Sequence, residues 1–180
     1  MADPVQAADG AAVARPAAAA SRGELVEALL SVSRVMVGLA ARSLADLDSD
    51  VTLPQYRALV VLASRGPQRV VDISTELGVN SSTGTRMCDR LVRKGLVRRE
   101  RSAVDRREVR LTLTPAGEYL VEEVTRLRRA ELVRIVETVP EVWHEPLTSA
   151  LRSLAISAHE PPDSEWWLGW HHSATDQPDN

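Results

Sequence analysis

Hydroxyl, amide and guanidinium side chains are concentrated at the start and on one face of a predicted helix that begins after position 80. These side chains are Asn80, Ser81, Ser82, Thr83, Thr85 and Arg86. They can donate and accept hydrogen bonds, but they contain no nucleophile paired with a base, so their chemistry is recognition and not bond cleavage. The positive amino end of a helix can also hold a phosphate. The pattern therefore predicts contacts to the base edges and phosphates of nucleic acid.

The opposite face of this helix and the residues after it predict how these side chains are positioned. Gly84, Met87, Cys88 and Leu91 are spaced i, i+3, i+4 and i+7, which indicates one buried stripe. The Lys94-Gly95 pair is typical of a helix end. Residues 96–101 and 108–113 then alternate apolar and polar, with a polar tip between them. A helix followed by a β-hairpin is the pattern of a winged helix.

Charge is distributed unevenly along the chain. Residues 86–110 contain ten Arg or Lys and four Asp or Glu, a net of +6, whereas the whole chain is −3, so the remainder is −9. A basic segment in an otherwise acidic chain is typical of a protein that contains a DNA-binding domain. A solvated charged hairpin is the alternative. The hydroxyl-rich helix start and the basic tip occur together, which favours DNA binding.

The residues just upstream complete a helix-turn-helix. Residues 70–77 predict a short helix, Gly78 caps it, and Val79 fills the turn. The text VVDISTELGVNSSTGTRMCDRLVRKGLVRR, followed by DRREVRLTLTPAGEYL, resembles the MarR family of winged helix-turn-helix transcriptional regulators. The resemblance covers residues 22–158. Its most specific part is Asp105-x-Arg107 followed by LTLTPAG, and it has one departure, since the family usually has a branched apolar residue where Gly84 stands.

We expect DNA contacts from the helix and from the hairpin, or wing. The predicted DNA-binding residues are Asn80, Ser81, Ser82, Thr83, Thr85, Arg86, Arg90, Arg93, Asp105, Arg106 and Arg107. Arg86 is expected to contact a guanine, with a phosphate contact as the alternative. Arg90 and Arg93 are expected to neutralise phosphates or to fix the wing. Arg107 is expected to enter the minor groove with its guanidinium aimed by Asp105, and a plain exposed ion pair is the alternative.

Helix signals and composition divide the chain into five segments. Ser21-x-x-Glu24 and Thr52-x-x-Gln55 are capping boxes, and Thr114-Pro115 is a strong helix start. The segments are a disordered leader (1–20), an N-terminal dimerisation helix (21–47), a winged helix-turn-helix DNA-binding domain (51–114), C-terminal dimerisation helices (115–160) and a Trp-rich tail (161–180). The expected fold class is mainly α with a small β-hairpin wing, flanked by long helices. These helices carry more apolar surface than one subunit can bury, and the resemblance implies that they interlace in a homodimer.

The tail contains Trp166, Trp167 and Trp170 close together. Clustered exposed tryptophan is unfavourable in water. We therefore expect the tail to pack on a helix of its own or of a partner subunit, across the dimerisation helices, with a mobile tail as the alternative.

The family resemblance also implies a small effector, often an anionic aromatic, bound between the dimer helices and the winged domain. In this sequence that region is expected near Val37, Ala41, Tyr56 and Leu59 and near the start of the helix after Thr114. The leading hypothesis is a homodimeric repressor that binds an inverted repeat in double-stranded DNA and is released by a small ligand.

Other classes of protein find less support in the residues. Cys88 allows a redox switch, but it falls on the buried stripe, and the four histidines show no metal-ligand spacing. We expect no catalytic residues, no metal and no cofactor, so the protein is not expected to be an enzyme. The absence of an 18-residue apolar run and of a signal peptide predicts a cytoplasmic protein with no membrane partner. A redox- or metal-responsive regulator and a winged-helix protein-interaction module stay as alternatives.

Overall fold

The first helix, α1, spans Arg22–Ala45 in the computed structural model, which describes residues 21–47, 50–101, 107–162 and 165–168. It starts at the predicted capping box: Ser21 N–H donates to Glu24 Oε2 at 2.7 Å, and Glu24 N–H donates to Ser21 Oγ at 3.2 Å. Internal contacts divide the chain into two units, residues 1–38 and 39–180. In the first unit the large apolar side chains of α1 are mostly exposed, namely Leu25, Val26, Leu30, Val32, Val35 and Val37.

The second unit is built on α2 (Leu53–Arg65), which is buried along most of its length. It begins at Thr52, whose backbone N–H donates to Gln55 Oε1 at 3.2 Å, and Pro54 occupies its first turn. Its apolar residues share one core with α3 (Val70–Glu76), α4 (Ser81–Arg93) and the hairpin. The largest fully buried side chains of that core include Leu59, Ile73, Leu91, Val97 and Leu111.

Helices α3 and α4 form the predicted helix-turn-helix. Gly78 has a φ of 63° in the turn, a conformation that glycine adopts without strain. The Val79 N–H then donates to the Ser74 carbonyl at 3.0 Å. Gly84, Met87, Cys88 and Leu91 are the buried residues of α4, so the predicted stripe is confirmed.

The wing is an antiparallel hairpin of β1 (Val97–Arg101) and β2 (Val109–Leu113), with Val97 opposite Leu113 and Arg101 opposite Val109. Gln68 forms an isolated antiparallel bridge with β2: its N–H donates to Leu111 O at 3.1 Å, and Leu111 N–H donates to Gln68 O at 2.7 Å. The hairpin is thereby tied to the segment between α2 and α3. Residues 102–106, the wing tip, lie outside the described residues.

Two further helices follow the wing. Helix α5 (Pro115–Val136) begins at Thr114, whose Oγ1 accepts from the Gly117 N–H at 3.2 Å. A short 3₁₀ turn, Glu141–Trp143, leads into α6 (His144–Ser157), where Pro146 lies in the first turn and is tolerated. The mainly helical fold with a two-stranded wing confirms the predicted fold class. No helix within the described ranges combines the length and the apolar character needed to cross a bilayer.

Candidate nucleic-acid interface

The amino end of α4 is exposed, and its cap is the Asn80 side chain. The Asn80 side-chain oxygen accepts from the Thr83 N–H at 2.8 Å and from the Ser82 hydroxyl at 2.9 Å. Ser81 follows Asn80 as the first helical residue and is exposed as well. The remaining amide groups of this first turn face solvent, where an anion can bind them.

The next exposed face of α4 is formed by Thr85 and Arg86. Thr85 Oγ1 donates to the Ser81 carbonyl at 2.8 Å. The Arg86 guanidinium folds back along the helix, with Nε 3.2 Å from Ser82 O and Nη2 3.3 Å from Ser82 Oγ. Both hydrogen bonds that Arg86 donates stay within its own helix and are exposed to solvent. A base edge with better acceptors can therefore replace them at little cost in free energy.

A basic groove of about 590 Å³ lies between α4 and β1, and we call it the arginine groove. It is lined by Arg86, Asp89, Arg90, Val92, Arg93 and Arg99, four arginines and one carboxylate. Arg99 pairs with Asp89 across the groove, which links the wing to α4. Sequence analysis did not single out Arg99; the signal that could have found it is the run of basic residues in β1.

The wing beyond the arginine groove carries further arginines. Arg98 pairs with Glu100 on β1, and Arg110 of β2 pairs with Glu108, which directly precedes that strand. Arg107 is exposed at the end of the tip. The predicted partner Asp105 and its neighbour Arg106 lie outside the described residues, so the expected Asp105–Arg107 pair stays a prediction.

Cys88 lies in the core of the domain with no exposed surface. Burial raises the pKa of its thiol to about 11, so the reactive thiolate is disfavoured. Within the described residues, no group of three or more His, Cys, Asp or Glu could hold a metal ion.

The expected ligand site near Val37, Ala41, Tyr56 and Leu59 stays a prediction, and the surroundings of each of these residues are as follows. Tyr56 lines a cavity of about 650 Å³ between α2 and the second half of α5. Leu59 instead lies in the core with no exposed surface, and Ala41 is exposed. Val37 is exposed on α1 in the other unit. The cavity, which we call the α2–α5 cavity, is walled by the middle and end of α5 and not by its start.

Part of the tail docks on the carboxyl end of α2. Trp167 N–H donates to the Ser64 carbonyl at 3.1 Å, and Leu168 N–H donates to the Ala63 carbonyl at 3.3 Å. Trp167 rests on Gly66, whose missing side chain leaves room for the indole. Packing on a helix of the same chain was one of the two expectations. The backbone is held by α2 rather than by the flanking helices, so the expected path across those helices is wrong for Trp167 and Leu168, and Trp170 lies outside the described residues.

Comparisons with known proteins agree with this geometry. Residues 51–109 match the MarR family model. The crystal structure of RV1404 from Mycobacterium tuberculosis is similar, at 38% identity and a TM-score of 0.73 over 81% of this chain and 99% of that one. A mutant of MepR from Staphylococcus aureus, bound to an oligodeoxyribonucleotide, has 25% identity and a TM-score of 0.54 over 74% of this chain and 97% of that one.

A named repressor is also among the relatives. The HTH-type transcriptional repressor MdtR of Bacillus subtilis (strain 168) is 35% identical over 91 residues, which are 51% of this chain and 59% of MdtR. The aligned segment thus spans little more than half of that relative's length, as it does in several other curated relatives. The match to RV1404, in contrast, covers nearly the whole of that chain. The chain therefore belongs to the MarR family of winged helix-turn-helix transcriptional regulators.

Proposed function

We propose that this protein is a sequence-specific DNA-binding transcriptional regulator, a homodimeric repressor of an inverted-repeat operator that a small ligand releases. The observation that carries the proposal is the exposed amino-terminal face of α4 beside the arginine groove. Hydroxyls and a guanidinium on the front of a helix match the donors and acceptors of the major groove. A surface used only for protein contacts has no need of them.

In this proposal the residues of α4 and of the wing have three roles: reading bases, neutralising phosphates and entering the minor groove. The Arg86 guanidinium gives up its two hydrogen bonds to Ser82 and donates from Nε and Nη2 to one guanine. Ser82 and Thr85 contact neighbouring base edges. Arg90, Arg93 and Arg99 line the arginine groove and neutralise phosphates on either side of the helix. Arg107, with Asp105 and Arg106, is proposed to carry the wing into the adjacent minor groove.

The proposal of a homodimer is supported by apolar surface that the single chain leaves uncovered. Exposed large apolar residues follow α1, and others lie at the end of α5 and along α6: Val133, Ile135, Val136, Leu147, Leu151, Leu154 and Ile156. Large apolar side chains that stay exposed along whole helices are typical of a protein interface. A two-fold dimer presents two copies of α4 about 34 Å apart, one turn of DNA, and so selects an inverted repeat.

Repression and ligand release rest on two supports. The relative MdtR is named a transcriptional repressor. The α2–α5 cavity, at about 650 Å³, has the size of a small-molecule site, and one of its walls is α2 of the winged domain. A ligand there can change how α2 packs on α5, and with it the position of α4. No observation favours a redox or metal switch, since the one cysteine is buried.

The test is selection of duplexes from a random library by the full chain, followed by titration of the enriched duplex. We expect an inverted repeat bound by one dimer, measured by light scattering of the complex. Affinity should fall by orders of magnitude between about 50 and 200 mM salt, because phosphate contacts release counterions. A library without an enriched sequence, or a monomer on the DNA, would contradict the proposal.

A further inference from the structure

A salt-bridge network joins the first turn of α3 to the second strand of the wing, and we call it the wing-root network. Its members are, in order, Asp72, Arg69, Glu108 and Arg110. Arg69 binds the Asp72 carboxylate twice, with Nε 2.8 Å from Oδ2 and Nη2 2.7 Å from Oδ1. Because Arg69 is also the N-cap residue of α3, its guanidinium is fixed at the start of the helix-turn-helix.

The central member, Glu108, divides its two carboxylate oxygens between two elements. Oε2 accepts from Nε and Nη2 of Arg110 at 3.0 and 2.9 Å, which holds the carboxylate against β2. Oε1 faces Arg69, whose Nε lies 3.4 Å away. The Glu108 side chain is 23% exposed, less than either arginine. A single carboxylate therefore connects the wing to α3, and each of its oxygens has its own arginine.

This salt bridge lies farther out along the wing than the backbone bridge between Gln68 and Leu111. Glu108 is three residues nearer the tip than Leu111 and directly precedes β2. A two-stranded hairpin is only marginally stable by itself, so its outer part needs further contacts to keep a fixed direction. On the other strand, the pair of Arg99 and Asp89 supplies such a contact with α4. The two sides of the wing are thus connected to the two helices of the helix-turn-helix.

Charge alone gives no reason for a carboxylate at this position of a DNA-binding surface. Affinity for DNA comes largely from neutralised phosphates, and each carboxylate near them opposes it. Hydrogen bonds from Arg69 hold the pKa of Asp72 below its ordinary value, so that carboxylate is ionised as well. The wing-root network therefore has two positive and two negative members and no net charge. What Glu108 contributes to DNA binding is consequently geometric.

The geometry concerns the residue next to Glu108. Arg107, which is proposed to enter the minor groove, directly precedes Glu108 and is exposed. Consecutive Cα atoms are about 3.8 Å apart, so a fixed Glu108 limits where Arg107 can lie. A wing that is already held in place avoids the entropic cost of ordering it on the DNA.

We propose that Glu108 is a positioning residue for DNA recognition: its salt bridge to Arg69 fixes the wing relative to the helix-turn-helix, so that Arg107 meets the minor groove while α4 reads the major groove. Glu108 acts through these two arginines and touches no base. This inference deepens the proposed function and rests on it for the effect on DNA, whereas the anchoring of the wing is measured without DNA.

The experiment compares Glu108→Gln with Glu100→Gln in titrations of the selected duplex. Glutamine has the size of glutamate but one acceptor oxygen in place of two, so it cannot serve both arginines. Glu108→Gln should bind about tenfold more weakly, although it removes a negative charge. Glu100 pairs with Arg98 on its own strand. Glu100→Gln therefore removes the same charge, leaves the wing-root network intact and should bind about twofold more tightly.

Base preference separates positioning from a general loss of stability. Two duplexes share the inverted repeat and differ in having A·T-rich or G·C-rich flanks, because the narrow minor groove of A·T-rich DNA attracts arginine. The native chain should prefer the A·T-rich flanks, and Glu108→Gln should lose this preference as Arg107→Ala does. A variant that is merely less stable loses affinity for both duplexes alike.

The partner of Glu108 is tested by combining two changes. Arg69→Gln removes the other half of the salt bridge and should weaken binding. In that background Glu108→Gln has no salt bridge to break and only removes a negative charge, so it should now tighten binding. The reversal of sign is the expected result for a coupled pair. The same loss from Glu108→Gln in both backgrounds would show that Arg69 is not its partner.

Hydrogen exchange followed by mass spectrometry measures the anchor without DNA. The amides of residues 107–113 should exchange faster in Glu108→Gln than in the native chain, and at the native rate in Glu100→Gln. Unchanged exchange, tighter binding by Glu108→Gln, or equal losses on both duplexes would each overturn the positioning role. If the native chain selects no duplex while exchange changes as expected, the anchor of the wing stands and the proposed function is what fails.

Discussion

A methyl group on Gly84 would lie 1.9 Å from Oγ of Ser74 and 3.0 Å from its Cβ. The Ser74 hydroxyl cannot turn away freely, because it donates to the Val70 carbonyl at 2.7 Å. Helices α3 and α4 therefore approach each other at a point where only glycine fits. This close packing explains why glycine stands where the family usually has a branched residue. Gly84 allows the two helices of the helix-turn-helix to lie close together.

Gly84→Ala is expected to lower the free energy of unfolding by about 1–3 kcal/mol, even though alanine favours a helix by about 1 kcal/mol over glycine. The overlap with Ser74 forces the helices apart, which should also weaken DNA binding. Urea denaturation measures the loss. Ser74→Gly in the same chain removes the colliding atoms and should restore most of the stability.

The matched control for that change is Gly23→Ala near the start of α1. The nearest atom to a side chain there is Ser21 Oγ at 3.8 Å, an ordinary contact. Gly23→Ala should be neutral or slightly stabilising. Equal losses at both positions would show that contact with Ser74 is not the cause.

Arg86→Ala is expected to weaken binding to the selected duplex by about 1–3 kcal/mol and to relax base preference at one position of each half-site. The reason is loss of a bidentate donor that the structure holds only by bonds to Ser82. Titration against a set of single-base variants of the duplex measures both effects.

Two further arginine variants separate base reading from charge. Arg99→Ala in the arginine groove should weaken all duplexes alike and reduce the salt slope by about 1. Arg126→Ala, at an exposed position paired with Glu123 on α5, should leave binding unchanged. If Arg86→Ala instead behaves like Arg99→Ala, then Arg86 contacts a phosphate and not a base.

Cys88 is expected to resist alkylation by iodoacetamide at pH 8 in the folded protein and to react fully in urea. Its pKa is raised by burial to about 11, so about one thiol in a thousand is ionised at that pH. The thiol of the unfolded chain ionises near its ordinary value of 9.0, before the folded one. Stability from this group is therefore present below pH 9 and is lost as the pH rises from about 9 to about 11. Stoichiometric labelling of the native protein at pH 8 would revive the redox alternative.

Removal of residues 165–180 is expected to lower the free energy of unfolding by about 2 kcal/mol, the balance of apolar burial and ordering entropy. Because the backbone of Trp167 and Leu168 binds α2 of its own chain, this loss should not depend on protein concentration. Thermal unfolding at several concentrations measures it. Removal of 171–180 alone leaves the contacts of Trp166, Trp167 and Leu168 in place and serves as control. A loss that grows on dilution would place the tail on a partner subunit.

The helix-turn-helix, the wing and the buried face of α4 could all be predicted from the residues and their spacing. Those features follow from local signals: the period of Gly84, Met87, Cys88 and Leu91, and the alternation of buried and less buried residues along β2. Local spacing reports which face of an element is buried, since side chains repeat with the geometry of the backbone.

Tertiary structure alone decided which distant residues share a site. Leu59 and Tyr56 lie three residues apart on the same buried helix, and sequence analysis placed both near the ligand region. In the structure Leu59 is part of the core, whereas Tyr56 lines the α2–α5 cavity. Arg128 and Trp166 reach that cavity from elements far along the chain, and Arg99 meets Asp89 only because the hairpin folds back on α4. Such contacts depend on how whole elements pack. The spacing within one segment shows which face is buried, but it does not show which distant element lies against that face.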